Sequence, residues 1–286
     1  MATDNGGDSI RIAVASGKGG TGKTLIATNL AAMTDGSLLV DLDVEEPNCH
    51  IFTNATSESE EPAHRPVPKV DDDLCTLCGR CAEVCEFHAI VVLPKRVMVF
   101  DELCHGCGAC TMLCPDGAIE EKDHLMGAVI RAKGGILNLL YGRLKVGEVS
   151  APSLIRRVKK ALPPDTVTII DCPPGTACTA VESIRGSDIC VLVTEPTPFG
   201  LHDLKLALNV TRKLNIPTMV FVNKEGLPGP DIRKFCESVD MPIAGTLPLD
   251  RRIAEIYSKG GLISSLPEYA GVFSELRDRI LKEVSR

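Results

Sequence analysis

Two stretches carry residue types at spacings that can do chemistry. The first is Gly17-Lys18-Gly19-Gly20-Thr21-Gly22-Lys23-Thr24-Leu25. Gly17 and Gly22 followed by Lys23 and Thr24 fit the Gly-x4-Gly-Lys-Thr pattern that cradles a nucleotide's phosphate chain. Glycines allow successive backbone N–H groups to turn inward on phosphate oxygens, and a helix start adds partial positive charge. Lys23 is expected to reach the β- and γ-phosphates, and the Thr24 hydroxyl to bind Mg²⁺. One lysine suffices for that task, so Lys18 needs its own account; a solvated loop lysine is the plain alternative.

Acidic residues at strand ends extend this set. "VDLDVEEPN" places Asp41 and Asp43, and "TIIDCPPG" places Asp171, each behind an apolar run. Asp171 suits a Mg²⁺-bound water, and Asp43 joins Thr24 and Asp171 as a candidate Mg²⁺ contact. For each acid, capping or turn formation is the competing reading, most strongly for Asp41.

The second stretch is a block of cysteines. Eight of the chain's 13 lie between Cys75 and Cys114, in two runs of Cys-x2-Cys-x2-Cys-x3-Cys. Shifting the chain by 29 residues lays Cys75, Cys78, Cys81 and Cys85 on Cys104, Cys107, Cys110 and Cys114. Asp72, Leu74, Gly79 and Ala89-Ile90 fall on Asp101, Leu103, Gly108 and Ala118-Ile119. The block is thus an internal duplication. In a reducing compartment, cysteines so spaced bind metal in preference to forming disulfides. Two zinc sites are the alternative to iron–sulfur centres.

These residues need a scaffold. Apolar runs at 10–16, 37–43, 166–171, 188–194 and 217–223 predict strands, with helical patterns at 23–33, 153–161, 200–214 and 231–239. Their alternation predicts an α/β fold, a mostly parallel sheet with helices on both faces. Residues 56–73 are polar and proline-rich, and are expected to form a linker. The cysteine block, 65–122, is expected as a small α+β module inserted into a larger discontinuous domain of 1–64 and 123–286, with strand–helix order resuming after about residue 125.

"SGKGGTGKT" (16–24) resembles the deviant phosphate loop of the MinD/ParA ATPases, a superfamily that includes nitrogenase iron protein and cluster-carrier ATPases. The resemblance extends to "VDLDVEEPN" and "IIDCPPGT" as first and second switch regions, and to "VTEPTPFGLHDLKLAL", "VFVNK" and "GTLPLD". It implies ATP and Mg²⁺ as ligands, a homodimer closed across the nucleotide, and Lys18 reaching the partner's nucleotide. It places Asp43 beside the attacking water, Asn223 on the adenine and Pro248 near the base. Lys18, Lys23, Asp43 and Asp171 are the implied catalytic set. Residues 70–122 resemble bacterial two-cluster ferredoxins. There the fourth cysteine of each run ligates the other cluster. The implied [4Fe-4S] sets are Cys75, Cys78, Cys81 and Cys114, and Cys104, Cys107, Cys110 and Cys85. Pro115 follows Cys114 as in that pattern, whereas Glu86 follows Cys85.

Composition narrows the function classes. A formal charge of −7 and 3% aromatic residues disfavour nucleic-acid binding. No apolar run spans a bilayer and "MATDNGGDSI" is no signal peptide, so a cytoplasmic location without membrane attachment is expected. Cys49, Cys172, Cys190 and Cys236 are expected in the core. Cys178 is read as a buried or nearby thiol, with a bridging third cluster as the sharper alternative. His88 and His105 are expected as surface or hydrogen-bonded residues. The tail from Tyr269 is expected to pack on the core as a helix, with Glu275–Arg279 and Asp278–Lys282 pairs. The stretch 128–160 is expected to present a solvated face. ATP-gated electron transfer, cluster delivery and redox-sensing regulation are the competing functions, each with an unknown redox or acceptor partner.

Overall fold

The computed structural model describes residues 9–285. Most of the polar opening stretch (1–8) and the final residue of the tail lie outside them. The chain opens with β1 (Arg11–Ala15), α1 (Lys23–Ala32), β2 (Leu38–Asp41) and α2 (Cys49–Thr53). A long strand β3 (Thr56–Val70) leads into the cysteine block, which holds α3 (Arg80–Glu83), β4 (Ile90–Val92), β5 (Val97–Val99) and α4 (Ala109–Leu113). The chain returns along β6 (Ile119–Gly134) and turns into β7 (Leu137–Leu144) and α5 (Ala151–Lys160). Alternation follows: β8 (Thr168–Asp171), α6 (Cys178–Ile184), β9 (Ile189–Thr194), α7 (Pro198–Lys213), β10 (Thr218–Glu225), α8 (Ile232–Ser238), β11 (Ile243–Pro248), α9 (Arg251–Ser258) and α10 (Pro267–Val284).

Nine strands form one sheet in the order β11-β10-β9-β1-β8-β2-β7-β6-β3. From β11 to β7 all neighbours are parallel; β6 and β3 add an antiparallel ribbon. Strands buried on both faces explain the unbroken apolar runs. Ile12 and Val14 face a core completed by Leu30 of α1 and by Phe273, Leu276 and Ile280 of α10. Ala13 and Ala15 face the other core, filled by Leu154 and Ile155 of α5, Leu204 and Leu208 of α7, and Ile232 of α8. The tail helix therefore packs on the core as expected. Arg279 lies 3.8 Å from Glu275, whereas Asp278 pairs with its neighbour Arg277.

Two expectations are corrected. Residues 56–70 are a strand, not a linker: β3 pairs with β6 from Thr56↔Lys133 to Val70↔Ile119, with two register shifts. As the sheet's edge it tolerates Pro62, Pro66 and Pro68, because an edge strand has one row of N–H groups without ladder partners. Both strands run unbroken through residues 64–65 and 122–123, the expected module boundaries. Second, about half of 128–160 is buried, so it is not simply a solvated face. Gly135 and Ile136 turn β6 into β7, Leu139 and Leu140 are fully buried, and α5 covers them with Leu154 and Ile155. Gly134 approaches α2 so closely that a Cβ would lie 2.1 Å from the Thr53 carbonyl oxygen.

The duplication is visible in the backbone. Left-handed conformations recur 29 residues apart at Leu77 and Gly106, Gly79 and Gly108, and His88 and Gly117. The β4–β5 pair Ile90↔Val99 matches the Ile119↔Val70 pair that ends the ribbon. The ribbon's tip therefore belongs at once to the sheet and to one half of the duplicated unit.

Candidate functional site

The C-terminal ends of the parallel strands gather the first set of residues, where open α/β sheets form their ligand crevice. The loop Gly17–Gly22 joins β1 to α1, Asp43 follows β2, Asp171 ends β8, Asn223 and Lys224 lie near the end of β10, and Pro248 ends β11. Close approach fixes two glycines. A Cβ on Gly17 would lie 2.1 Å from the Asp203 carbonyl oxygen, and one on Gly22, at φ 97°, would lie 2.3 Å from Asn223 Nδ2. Lys23 begins α1 and is buried. Its charge acts on both Asp43 and Asp171.

Thr24 and Asp171 meet directly: Oγ1 donates to Oδ2 at 2.6 Å. Among the described residues, Oδ1 of Asp171 is buried without a hydrogen-bond partner. An orphaned carboxylate oxygen beside a threonine hydroxyl fits a Mg²⁺-bound water. Thr21 Oγ1 is likewise buried and unpaired within the phosphate loop. Burial, then the negative charge of Asp41, raises the Asp171 pKa. The same two causes push Asp43 up to about 6.

Asp41 takes the turn-forming role. Its Oδ1 accepts from the Asp43 backbone N–H at 3.0 Å, and Oδ2 accepts from those of Asn48 and Cys49 at 2.8 and 2.9 Å. It thereby shapes the segment that carries Asp43. Cys49 Sγ lies 3.5 Å from Asp171 Oδ2, and burial raises this thiol's pKa strongly.

Lys18 is held at home. Its Nζ donates to Glu195 Oε1 at 2.7 Å, while Lys224 Nζ donates to Glu195 Oε2 at 2.9 Å and to the Gly20 carbonyl at 3.2 Å. Two cations hold the Glu195 carboxyl below its usual pKa against the cost of burial. Asn223 donates through Nδ2 to the Thr21 carbonyl at 2.8 Å. The end of β10 thus braces the phosphate loop, and Asn223 also lines the adjoining cleft.

That cleft, of about 690 Å³, is lined by Gly20, Gly22, Leu25, Asn223, Pro248 and Tyr257, among others. Its apolar walls suit a nucleoside. Glu195, Lys224 and Tyr257 were not singled out by sequence. A charged residue directly after an apolar strand, as with Asp171, was the available sign for Glu195. Tyr257, stacked on Phe52 with centroids 4.3 Å apart, carried none.

The duplicated cysteines line two further pockets. One, of about 350 Å³, is lined by Cys75, Cys78, Cys81 and Cys114; the other, of about 400 Å³, by Cys85, Cys104, Cys107 and Cys110. Each pocket therefore takes three cysteines from one run and the last from the other. All eight are free thiols. Backbone N–H groups of Ala89, Gly106 and Ala118 donate to the sulfurs of Cys85, Cys104 and Cys114, each at 3.3 Å. Cysteine sulfurs receiving amide hydrogen bonds in a largely apolar pocket fit the donor set of a [4Fe-4S] centre.

The remaining cysteines divide cleanly. Cys49, Cys172, Cys190 and Cys236 are buried, and Cys178 is exposed at the start of α6. His88 is exposed, and His105 stacks on Phe87 at 3.6 Å. No helix among the described residues is long and apolar enough to cross a membrane.

Residues 12–263 match the family described as the CobQ/CobB/MinD/ParA nucleotide binding domain. Two uncharacterised proteins of Methanocaldococcus jannaschii are each 30% identical, over 76% and 87% of this chain and 79% and 89% of their own lengths. A cytosolic Fe-S cluster assembly factor Nubp2 homolog of Anopheles gambiae is 28% identical over 35% of this chain and 46% of its own. Among solved structures, the septum site-determining protein MinD of Pyrococcus horikoshii, complexed with Mg-ADP, superposes with a TM-score of 0.59 at 20% identity, covering 95% of this chain and 96% of that one. At that identity the likeness concerns the fold.

Proposed function

The chain belongs to the CobQ/CobB/MinD/ParA nucleotide-binding family, and from that premise we propose that it is a slow, dimer-dependent ATPase that gates electron transfer through two [4Fe-4S] centres. One observation carries the reading: each four-cysteine pocket draws its fourth cysteine from the other run, and both pockets sit on a ribbon of the sheet that holds the phosphate loop. When bound, such centres supply one-electron storage.

The chain's own residues divide the remaining work. Gly17 to Leu25 wrap the phosphates, with Lys23 on the β- and γ-oxygens. Thr24 and Asp171 hold Mg²⁺ and its water. Asp43, whose pKa burial raises to about 6, positions the attacking water. Asn223 and Pro248 face the adenine from the cleft wall. Lys18 leaves Glu195 to complete the site of a second copy, as an arginine finger supplied in trans does elsewhere. Homodimer closure then depends on ATP. Allosteric couplings of about 1–3 kcal/mol are typical, and about 59 mV changes a one-electron equilibrium tenfold, so a modest closure energy decides whether a transfer runs downhill.

A second reading, cluster assembly and delivery, draws support from the partial likeness to the Nubp2 homolog. Eight matched ligands and the amide hydrogen bonds to sulfur favour retention over release. The deciding experiment uses anaerobically purified protein with ADP or a nonhydrolysable ATP analogue. Gating predicts cluster potentials or transfer rates that differ between the two nucleotides. Identical values remove gating, and rapid loss of iron to an apo acceptor installs delivery in its place.

A further inference from the structure

Arg65 is the one buried arginine among the described residues. It lies on β3 where the ribbon reaches the cysteines, and its side chain is 2% exposed. Nε donates to the Cys104 carbonyl at 2.7 Å, and Nη2 to the Asp101 carbonyl at 2.6 Å. Nη1 pairs with Glu148, also 2% exposed, in the loop between β7 and α5. The other oxygen of Glu148 meets His124 Nε2 at 2.6 Å. His124 Nδ1 lies 3.7 Å from Asp101 Oδ2, which Lys122 pairs at 2.7 Å. Gly106 seals the contact: a Cβ there would lie 2.9 Å from the Pro66 carbonyl oxygen.

Among the described residues, no buried arginine or lysine lines the other four-cysteine pocket. The arginine in its lining is Arg80, which is exposed. The duplication does not supply a second cation either, because position 94, 29 residues after Arg65, is proline. A buried charge acts across a few ångströms with little screening, whereas an exposed one is damped by water and salt.

We propose that Arg65 makes the two centres unequal, holding the reduction potential of the one bound by Cys85, Cys104, Cys107 and Cys110 above that of the other. This rests on the reading that the eight cysteines hold two [4Fe-4S] centres. One-electron reduction adds one negative charge to a centre, and a fixed cation against a ligand's backbone favours that state. Glu148 offsets part of the cation's field, so the two side chains pull in opposite directions. The centre beside Arg65 is where an electron rests, and the other is the higher-energy station.

The test is an anaerobic redox titration of the full chain followed by electron paramagnetic resonance, with iron and sulfide measured beforehand. The wild type is expected to show two distinct midpoints. Glu148→Gln, which leaves the cation uncompensated, raises the upper midpoint. Glu148→Gln combined with Arg65→Gln lowers the upper centre's reduced-to-oxidised ratio about tenfold at fixed potential, equivalent to about 59 mV. Arg65→Lys stays closer to wild type, and the lower midpoint holds still throughout. Midpoints that stay put, or that move in the same direction in both Gln variants, overturn the assignment. Should the double variant lose iron, Glu148→Gln alone decides, since it retains Arg65. A wild type lacking eight irons overturns the cluster reading itself, which separates that failure from this one.

Discussion

The sheet body and the cysteine module solve the problem of staying folded in different ways. The body has two large apolar cores, one on each face of the sheet. The module's core is a small cluster of Ile90, Cys110 and Ile119, with other cysteines packed around them. Charge divides just as sharply. Residues 71–121 carry a net charge equal to the whole chain's −7, and outside them acids and bases cancel. A neutral body rests on hydrophobic burial, whereas a small acidic unit must find its cohesion elsewhere. In the proposed reading metal bonding is that source, since binding free energy at sites absent from the unfolded chain becomes folding free energy.

The contrast is broken most directly by removing iron. Chelation under anaerobic conditions, or Cys107→Ser together with Cys78→Ser, should leave 71–118 open to proteases while the body's thermal transition persists. Equal resistance with and without iron would mean that the module folds unaided. Next in size is the effect of Lys18→Ala on the body's chemistry. An in-trans cation is worth about 10³–10⁵ in rate, so hydrolysis should fall by at least a thousandfold while nucleotide binding to the monomer is retained. Asp171→Asn should cost about 10²–10³ in Mg²⁺-dependent hydrolysis, the range for loss of one preorganised electrostatic contact.

A pH dependence sharpens the comparison further. Asp43, Asp41 and Asp171 all have folded pKa values raised by burial, Asp43 to about 6. Their contribution to stability is fully present below the ordinary carboxylate range. It is lost as pH rises through about 6 and beyond. The nucleotide-free body should therefore melt at lower temperature at pH 8 than at pH 5, and Mg²⁺ with nucleotide should narrow the gap. The Asp171→Asn variant should flatten the profile; an unchanged slope would place the strain elsewhere. The smallest expected effect is that of Glu195→Gln. Weakening the home ion pair of Lys18 should increase ATP-dependent dimerisation about fivefold, near 1 kcal/mol, as read by analytical ultracentrifugation.

The body and the module were also unequally legible in sequence. The phosphate loop, the strands before it and after it, and the pairing of the cysteine runs follow from local pattern. Each is set by spacing or by an unbroken apolar run. The β3–β6 ribbon was hidden because its instructions are long-range: β3 is polar and proline-bearing, and only the Ala63-x-Arg65-x-Val67 alternation betrays a strand with one covered face. The Gly134-Gly135 pair between apolar runs was the readable sign of the β6–β7 hairpin. Lys18 illustrates a different limit. Its motif announces a partner, yet the Glu195 that holds it in the single chain lies 177 residues away and owes its position to the sheet.

The entry and exit strands of the module are paired with each other from the sheet's edge to the first cysteine loop. A paired ladder has no slack. The cysteine unit is fixed like a bracket and cannot sweep like a tethered arm, so in the proposed electron-transfer role a donor or acceptor would have to diffuse to it. Encounter frequency would then depend on the visitor's concentration and on ionic strength, with no tether length to tune it.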